Sequence, residues 1–184
     1  MSKQTQIAAF KRVMKSARPD IQGFMSKNGR TFLTNGVILF AGKIPEYIPK
    51  AKNNSKSEYL LKELDHAIET AKDNYSITIS MSDIKNKIIQ LKEDIVRYKS
   101  PLPLERACET IDSGLFFLPN GTAADTACNV VFLKTVCELF DGKRFKLTPT
   151  GGEKRRSDIS PILITCDGSE YKALLMPRTY KTKQ

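Results

Sequence analysis

The residues in this sequence best suited to chemistry are cations. Lys11, Arg12, Lys15 and Arg18 fall in a stretch from Lys3 to Arg18 that holds no Asp or Glu. An acid-free basic run at helical spacing is the footprint expected of phosphate contact. Lysines on an exposed helix face equally serve hydration alone. Lys154-Arg155-Arg156, just after Gly151-Gly152, is the densest cationic point. Such a loop either wraps a phosphate backbone or is simply solvated. Over 184 residues, Lys and Arg total 30 against 20 acids, a net charge of +10. That surplus favours a polyanionic partner or an anionic surface, without choosing between them.

Catalytic groups are sparse. His66 is the only histidine and sits between Asp65 and Ala67 on a polar stretch, where a lone imidazole lacks the partners of a general base. Lys154 follows Gly151-Gly152-Glu153 but lacks the rest of a phosphate-binding loop pattern. Asp141, Asp158 and Asp167 fall in predicted turns, where Asp is expected for backbone reasons. No spacing of ligands marks a metal site and no motif marks a cofactor. The reading is a non-enzyme; a deep pocket gathering Glu105, Asp125 or His66 would speak against it. Cys108, Cys128, Cys137 and Cys166 lie far apart with no CxxC pair; an oxidising compartment would allow disulfides but nothing demands them, and reduced, mostly buried thiols in cytosol are the better reading. Residues are 40% hydrophobic and 27% charged, a globular composition. No apolar run approaches the roughly 20 residues that span a bilayer. Residues 1–18 also lack the apolar stretch of a secretory signal, so the expected location is cytoplasmic, with no membrane partner.

The elements that must position these groups follow from periodicity. Residues 5–18 predict a helix with Ile7, Phe10, Met14 and Ala17 on one stripe and the cations on the rest. Residues 21–44 predict a three-stranded meander, with turns at Asn28-Gly29 and Asn35-Gly36. A polar linker with Pro45 and Pro49 precedes a helix from Ser57, lined by Leu60, Leu61, Leu64, Ile68 and Ala71. Residues 75–81 alternate as a half-buried strand. Ser82 is the expected cap of a third helix carrying Ile84, Ile88, Leu91 and Ile95, ended by Pro101 and Pro103. Residues 104–128 are harder to read, apart from a strand over 114–118 and a turn at 119–122. Asn129 caps a helix to Phe140, and Gly142 stands where a left-handed residue would end it. Strands follow over 144–148, 162–165 and 171–176, the last two joined at Asp167-Gly168. Residues 179–184 form a basic tail. A helix followed by strands thus occurs twice, as two candidate half-units with residues 57–100 between them.

The closing stretch carries a resemblance. Asn129-Val130-Val131-Phe132-Leu133-Lys134-Thr135-Val136 leads to Leu139 and Gly142, then Arg144-Phe145-Lys146-Leu147, then Ser160-Pro161-Ile162-Leu163-Ile164, then Ala173-Leu174-Leu175-Met176-Pro177-Arg178. This order resembles the C-terminal domain of the bacterial sliding clamp, the beta subunit of the replicative DNA polymerase. Residues 7–45 resemble the start of a clamp domain. Such a clamp chain carries three domains, whereas this chain has room for one, and residues 57–100 have no obvious clamp counterpart.

The resemblance implies an α+β fold: a single DNA-clamp-type (processivity fold) domain, with helices on a curved antiparallel sheet. It would be built from about 1–50 and 101–178, with a helical insertion at about 55–100. It implies a non-catalytic, DNA-associated or replication-accessory protein that holds the duplex backbone without reading sequence. Its cations would lie on the helices over 5–18 and 129–141: Lys11, Arg12, Lys15 and Arg18, then Lys134 with Lys143 and Arg144 just beyond. In clamps, polymerases and other replication proteins insert an apolar peptide beside the last strand. The matching positions are Leu175, Met176, Pro177 and Arg178; the other reading is an edge strand that completes the sheet. A ring of one-domain chains would require a homo-oligomer larger than a dimer, and the single-domain form hints at a phage-like version. The rival reading is a protein interaction or assembly module that does not encircle DNA. In it, the apolar stripes of the helices within 57–100 pair with each other or with another chain.

Overall fold

Two meanders meet at the centre of one sheet. The structure is a computed structural model that describes residues 2–16, 24–27, 30–42, 57–72, 74–108, 110–118, 126–140, 142–150 and 161–177. Arg18, Lys154, Arg155, Arg156 and Arg178 lie outside them, as do Asn28-Gly29, the linker before Ser57, the turn at 119–122, Asp125, Asp141, Asp158 and the tail. The chain opens with α1 (Lys3–Ser16), β1 (Phe24–Lys27), β2 (Arg30–Thr34) and β3 (Ile38–Ala41). There follow α2 (Ser57–Thr70), β4 (Ile77–Ser80), α3 (Met81–Arg97) and the single turn α4 (Leu104–Ala107). A 3₁₀ turn at Asp112–Gly114 leads to β5 (Leu115–Leu118) and β6 (Thr126–Asn129). The last third is α5 (Val130–Leu139), β7 (Arg144–Pro149), β8 (Ile162–Cys166) and β9 (Lys172–Leu175). The fold is α+β.

Seven strands form one antiparallel sheet in the order β1-β2-β3-β9-β8-β7-β4, and β5 pairs with β6 apart from it. Each helix-plus-meander unit, α1 with β1–β3 and α5 with β7–β9, supplies three consecutive strands. The units join where Ile38 faces Leu175 and Phe40 faces Ala173. α1 and α5 pack side by side on one face of this sheet, and α3 packs against α5.

Strand alternation divides the core. Leu33, Ile38, Phe40, Phe145, Leu147, Ile162, Ile164, Ala173 and Leu175 point towards α1, α3 and α5. Phe32, Leu39, Leu163 and Leu174 point the other way, onto Leu61, Leu64 and Ala67 of α2. The central strands are therefore apolar on both faces because helices cover both. The stripes of α2 and α3 fall in separate clusters, that of α2 against one face of the sheet and that of α3 in the core on the other. On α1 the fully buried residues are Ala9, Phe10 and Val13, a stripe rotated from the one read off the sequence.

Local chemistry corrects three expectations. At the β2–β3 turn only Gly36 has positive φ, at 90°, the sign required by the first central position of a type II′ turn. Asn35 instead uses its side chain, whose Oδ1 accepts from the amides of Val37 (3.0 Å) and Ile38 (2.8 Å). The cap of α3 is Ser80, not Ser82. The Asp83 amide donates to Ser80 Oγ at 3.3 Å, and the Ser80 amide donates to Asp83 Oδ2 at 2.7 Å. Donation from the Ser80 amide, and then from the Ser80 hydroxyl at 2.7 Å, holds the Asp83 carboxyl below its ordinary value. Gly142 is not left-handed; a Cβ there would fall inside the van der Waals envelope of the Cys166 sulfur. Close approach of β8, not backbone sign, demands glycine. Gly142→Ala is expected to cost roughly 1–3 kcal/mol by overpacking, and nearly nothing in a Cys166→Ala background. Chemical denaturation of the four proteins checks this; an equal loss in both backgrounds would contradict it.

Candidate nucleic-acid interface

Among the described residues the predicted cations divide into an exposed set and an engaged one. Lys11 and Lys15 are one turn apart on α1 and exposed, on the side away from Phe10 and Val13. Arg12 lies on the same helix but reaches across to α5, where its Nη2 donates to Glu138 Oε2. Lys134, one turn before Glu138, donates from Nζ to the other carboxylate oxygen, Oε1. The Glu138 side chain is 8% exposed, against 49% for Arg12 and 30% for Lys134. One buried acid thus holds two cations at the seam between the helices.

Burial of a carboxylate without partners is costly, so this pairing is what allows Glu138 inside the seam. Its place in the last turn of α5 is also unfavourable, because the helix dipole puts negative potential there. Gln6 of α1 adds a second tie: its Nε2 donates to the carbonyl oxygen of Leu139 at 2.7 Å, satisfying an orphan acceptor at the helix end. Asn129 caps the other end of α5, its Oδ1 accepting from Val131 (2.9 Å) and Phe132 (3.3 Å). Asn35 Nδ2 donates to Ser16 Oγ at 2.8 Å, fixing the last turn of α1 to the β2–β3 turn.

The remaining predicted positions are not on this surface. Arg144 and Lys146 are exposed on β7 and alternate with buried Phe145 and Leu147. They therefore project from the face opposite α1 and α5. Lys143 is exposed just before them. Leu175 is fully buried beneath the helices. Met176 is 45% exposed, and its amide donates to the Val37 carbonyl at 2.9 Å; Pro177 is half-buried. β9 lies between β3 and β8, so it is a central strand and not an edge. His66 is exposed on α2.

No family model and no curated protein matches this chain. Among solved structures it is similar to the beta subunit of DNA polymerase III from Thermotoga maritima, with a TM-score of 0.37 and 8% identity. The match covers 83% of this chain and 42% of that one, so the chain spans less than half the length of that protein.

Sequence reasoning missed Glu138, the acid that organises the seam. Its spacing from Lys134 was a readable signal, but its pairing with Arg12 comes from a distant part of the chain. It also missed α3 as a third helix of the same layer, with Lys85 and Lys92 exposed on it.

Among the described residues no helix is long and apolar enough to cross a membrane, and no group of three or more His, Cys, Asp or Glu is placed to hold a metal. All four cysteines are buried thiols outside any disulfide. Burial pushes the Cys128 thiol up to about 12 and raises Cys137 well above its ordinary value. A thiol so raised remains protonated at neutral pH and is a poor nucleophile. Thiol titration with an aromatic disulfide reagent at pH 8 is therefore expected to be slow in the native protein and complete on unfolding. A fast-reacting native cysteine would contradict the packing described.

Proposed function

We propose that the chain is a single-domain, clamp-type protein that associates with duplex DNA as a non-catalytic replication accessory, holding the phosphate backbone rather than reading bases. The observation that carries this reading is the pair Lys11 and Lys15. They are exposed, one turn apart, on a helix fixed against α5 in a protein of net charge +10. Long cationic side chains on a rigid helical layer suit contact with phosphate, where position matters and base identity does not. The motif order in the closing stretch supports the clamp reading, as does the paired helix-plus-meander arrangement. Partners on this reading are duplex DNA and replication proteins, with exposed Met176 and half-buried Pro177 as the peptide-facing positions and several copies of the chain in any ring.

Fluorescence anisotropy of a labelled duplex over a salt series tests the backbone claim. Affinity is expected to fall linearly on a log–log plot. Replacing both Lys11 and Lys15 by Glu is expected to lower the magnitude of the slope by about two, since each phosphate contact contributes about 0.9. Binding that ignores salt, or survives the double replacement unchanged, would overturn the reading. Thermal melting of the variant separates lost binding from lost folding.

A further inference from the structure

The seam between α1 and α5 holds two cations that a phosphate could use and a carboxylate that already uses them. We infer that Glu138 acts as an internal substitute for a phosphodiester, withholding Arg12 and Lys134 from nucleic acid and so weakening the hold of this face on a backbone. The inference rests on the reading of this face as nucleic-acid-binding and adds a residue that sets its strength.

The argument is one of exchange. A carboxylate and a phosphodiester are alternative anionic partners for a guanidinium or an ammonium group. Arg12 and Lys134 bind separate oxygens of one Glu138 carboxylate. A phosphate drawing Arg12 away must leave Glu138, whose side chain is 8% exposed, with one partner in place of two. Solvent does not readily replace the lost partner at such a site, so the exchange returns little free energy. Lys11 and Lys15 are exposed on the side of α1 away from its buried stripe, and contact with phosphate there leaves the Glu138 carboxylate its two partners. The layer therefore holds two kinds of cation: those free to contact a backbone and those committed to the fold.

A double-mutant cycle on the full chain reads this directly, with a labelled duplex as probe and its salt dependence as readout. Glu138→Gln keeps the size and an acceptor oxygen but removes the charge. It is expected to tighten binding several-fold and steepen the salt slope by between about one and two, as one or both cations gain a phosphate. Arg12→Gln alone is expected to change affinity less than twofold, whereas Lys11→Gln, the same charge change on the same helix, lowers it more. In the Glu138→Gln background, Arg12→Gln is expected to reverse much of the gain. Equal effects of Arg12→Gln in both backgrounds, or weaker binding by Glu138→Gln, would overturn the inference. If the native protein binds no duplex but Glu138→Gln gains Arg12-dependent binding, the inference stands and the functional reading falls. If neither binds, both fall. Should Glu138→Gln fail to fold, Arg12→Gln and Lys134→Gln compared singly with Lys11→Gln decide the matter, equal losses counting against it.

Discussion

Phe40 sits where the two halves of the molecule meet. It lies on β3, the strand that pairs with β9 across the central junction. Phe10 of α1 meets its ring edge-on at 5.6 Å, Phe140 at the end of α5 at 5.3 Å, and Tyr171 before β9 at 5.7 Å. Edge-on aromatic pairs add about 0.5–1.5 kcal/mol each beyond their buried area. More important is geometry, because rings in T-shaped contact resist sliding past one another. The same ring that seals the sheet junction thus holds the middle of α1 and the end of α5. Phe145 extends the cluster from Phe140 at 6.1 Å, so the first strand after α5 is held as well. The cluster thus ties α1, which carries Lys11, Arg12 and Lys15, to the end of α5.

Charge enters the seam through one buried residue, Glu138. α5 is nearly all apolar, with Val130, Leu133, Val136, Cys137 and Leu139 buried, so it can approach α1 and α3 closely. Glu138 is the one charged residue among those buried on α5. Its two cations, one from each helix, make it a polar rivet in an otherwise hydrophobic contact. Rivets of this kind add little net stability compared with an apolar substitute, but they penalise any packing that separates the charges. Glu138 therefore fixes the register of α1 on α5, while the aromatic cluster fixes their depth.

Much of this was legible in the sequence, for local reasons. The turns at Asn35-Gly36 and Asp167-Gly168, the Asn129 cap and the alternation over 75–81 are written in short stretches of chain. Each became an element within a few residues of its expected bounds. The two apolar runs, Val37 to Ala41 and Ile162 to Ile164, also hold a message that alternation alone would hide. A strand without polar positions is covered on both faces. That is why α2 lies behind the sheet rather than beside α3. What was not legible depends on long-range contact. Gly142 reads as a helix stop by type, yet its requirement comes from the Cys166 sulfur on another strand. Arg12 reads as one of four equivalent cations until α5 presents Glu138. β6 hid because Thr126 to Asn129 holds little β-forming character and is set by pairing with β5.

The division of the cations has a physical consequence for any duplex held here. Net charge alone would rate Lys11, Arg12, Lys15 and Lys134 as one patch of four. Packing commits two of these four, Arg12 and Lys134, to Glu138 and leaves Lys11 and Lys15 exposed, so the local sum at the seam is two cations and one anion. A lysine ammonium is a mobile point charge, whereas an arginine fork locks onto phosphate in a defined geometry. A face whose arginine is committed to the fold and whose lysines are free holds a backbone loosely, with no contact tied to one phosphate. On the proposed reading that is an advantage, since a protein that must move along duplex DNA is hindered by any contact it has to break at each step. The buried acid between the helices then serves packing and looseness together: the charge that fixes the register of α1 on α5 is also the charge that occupies the only described arginine of the seam.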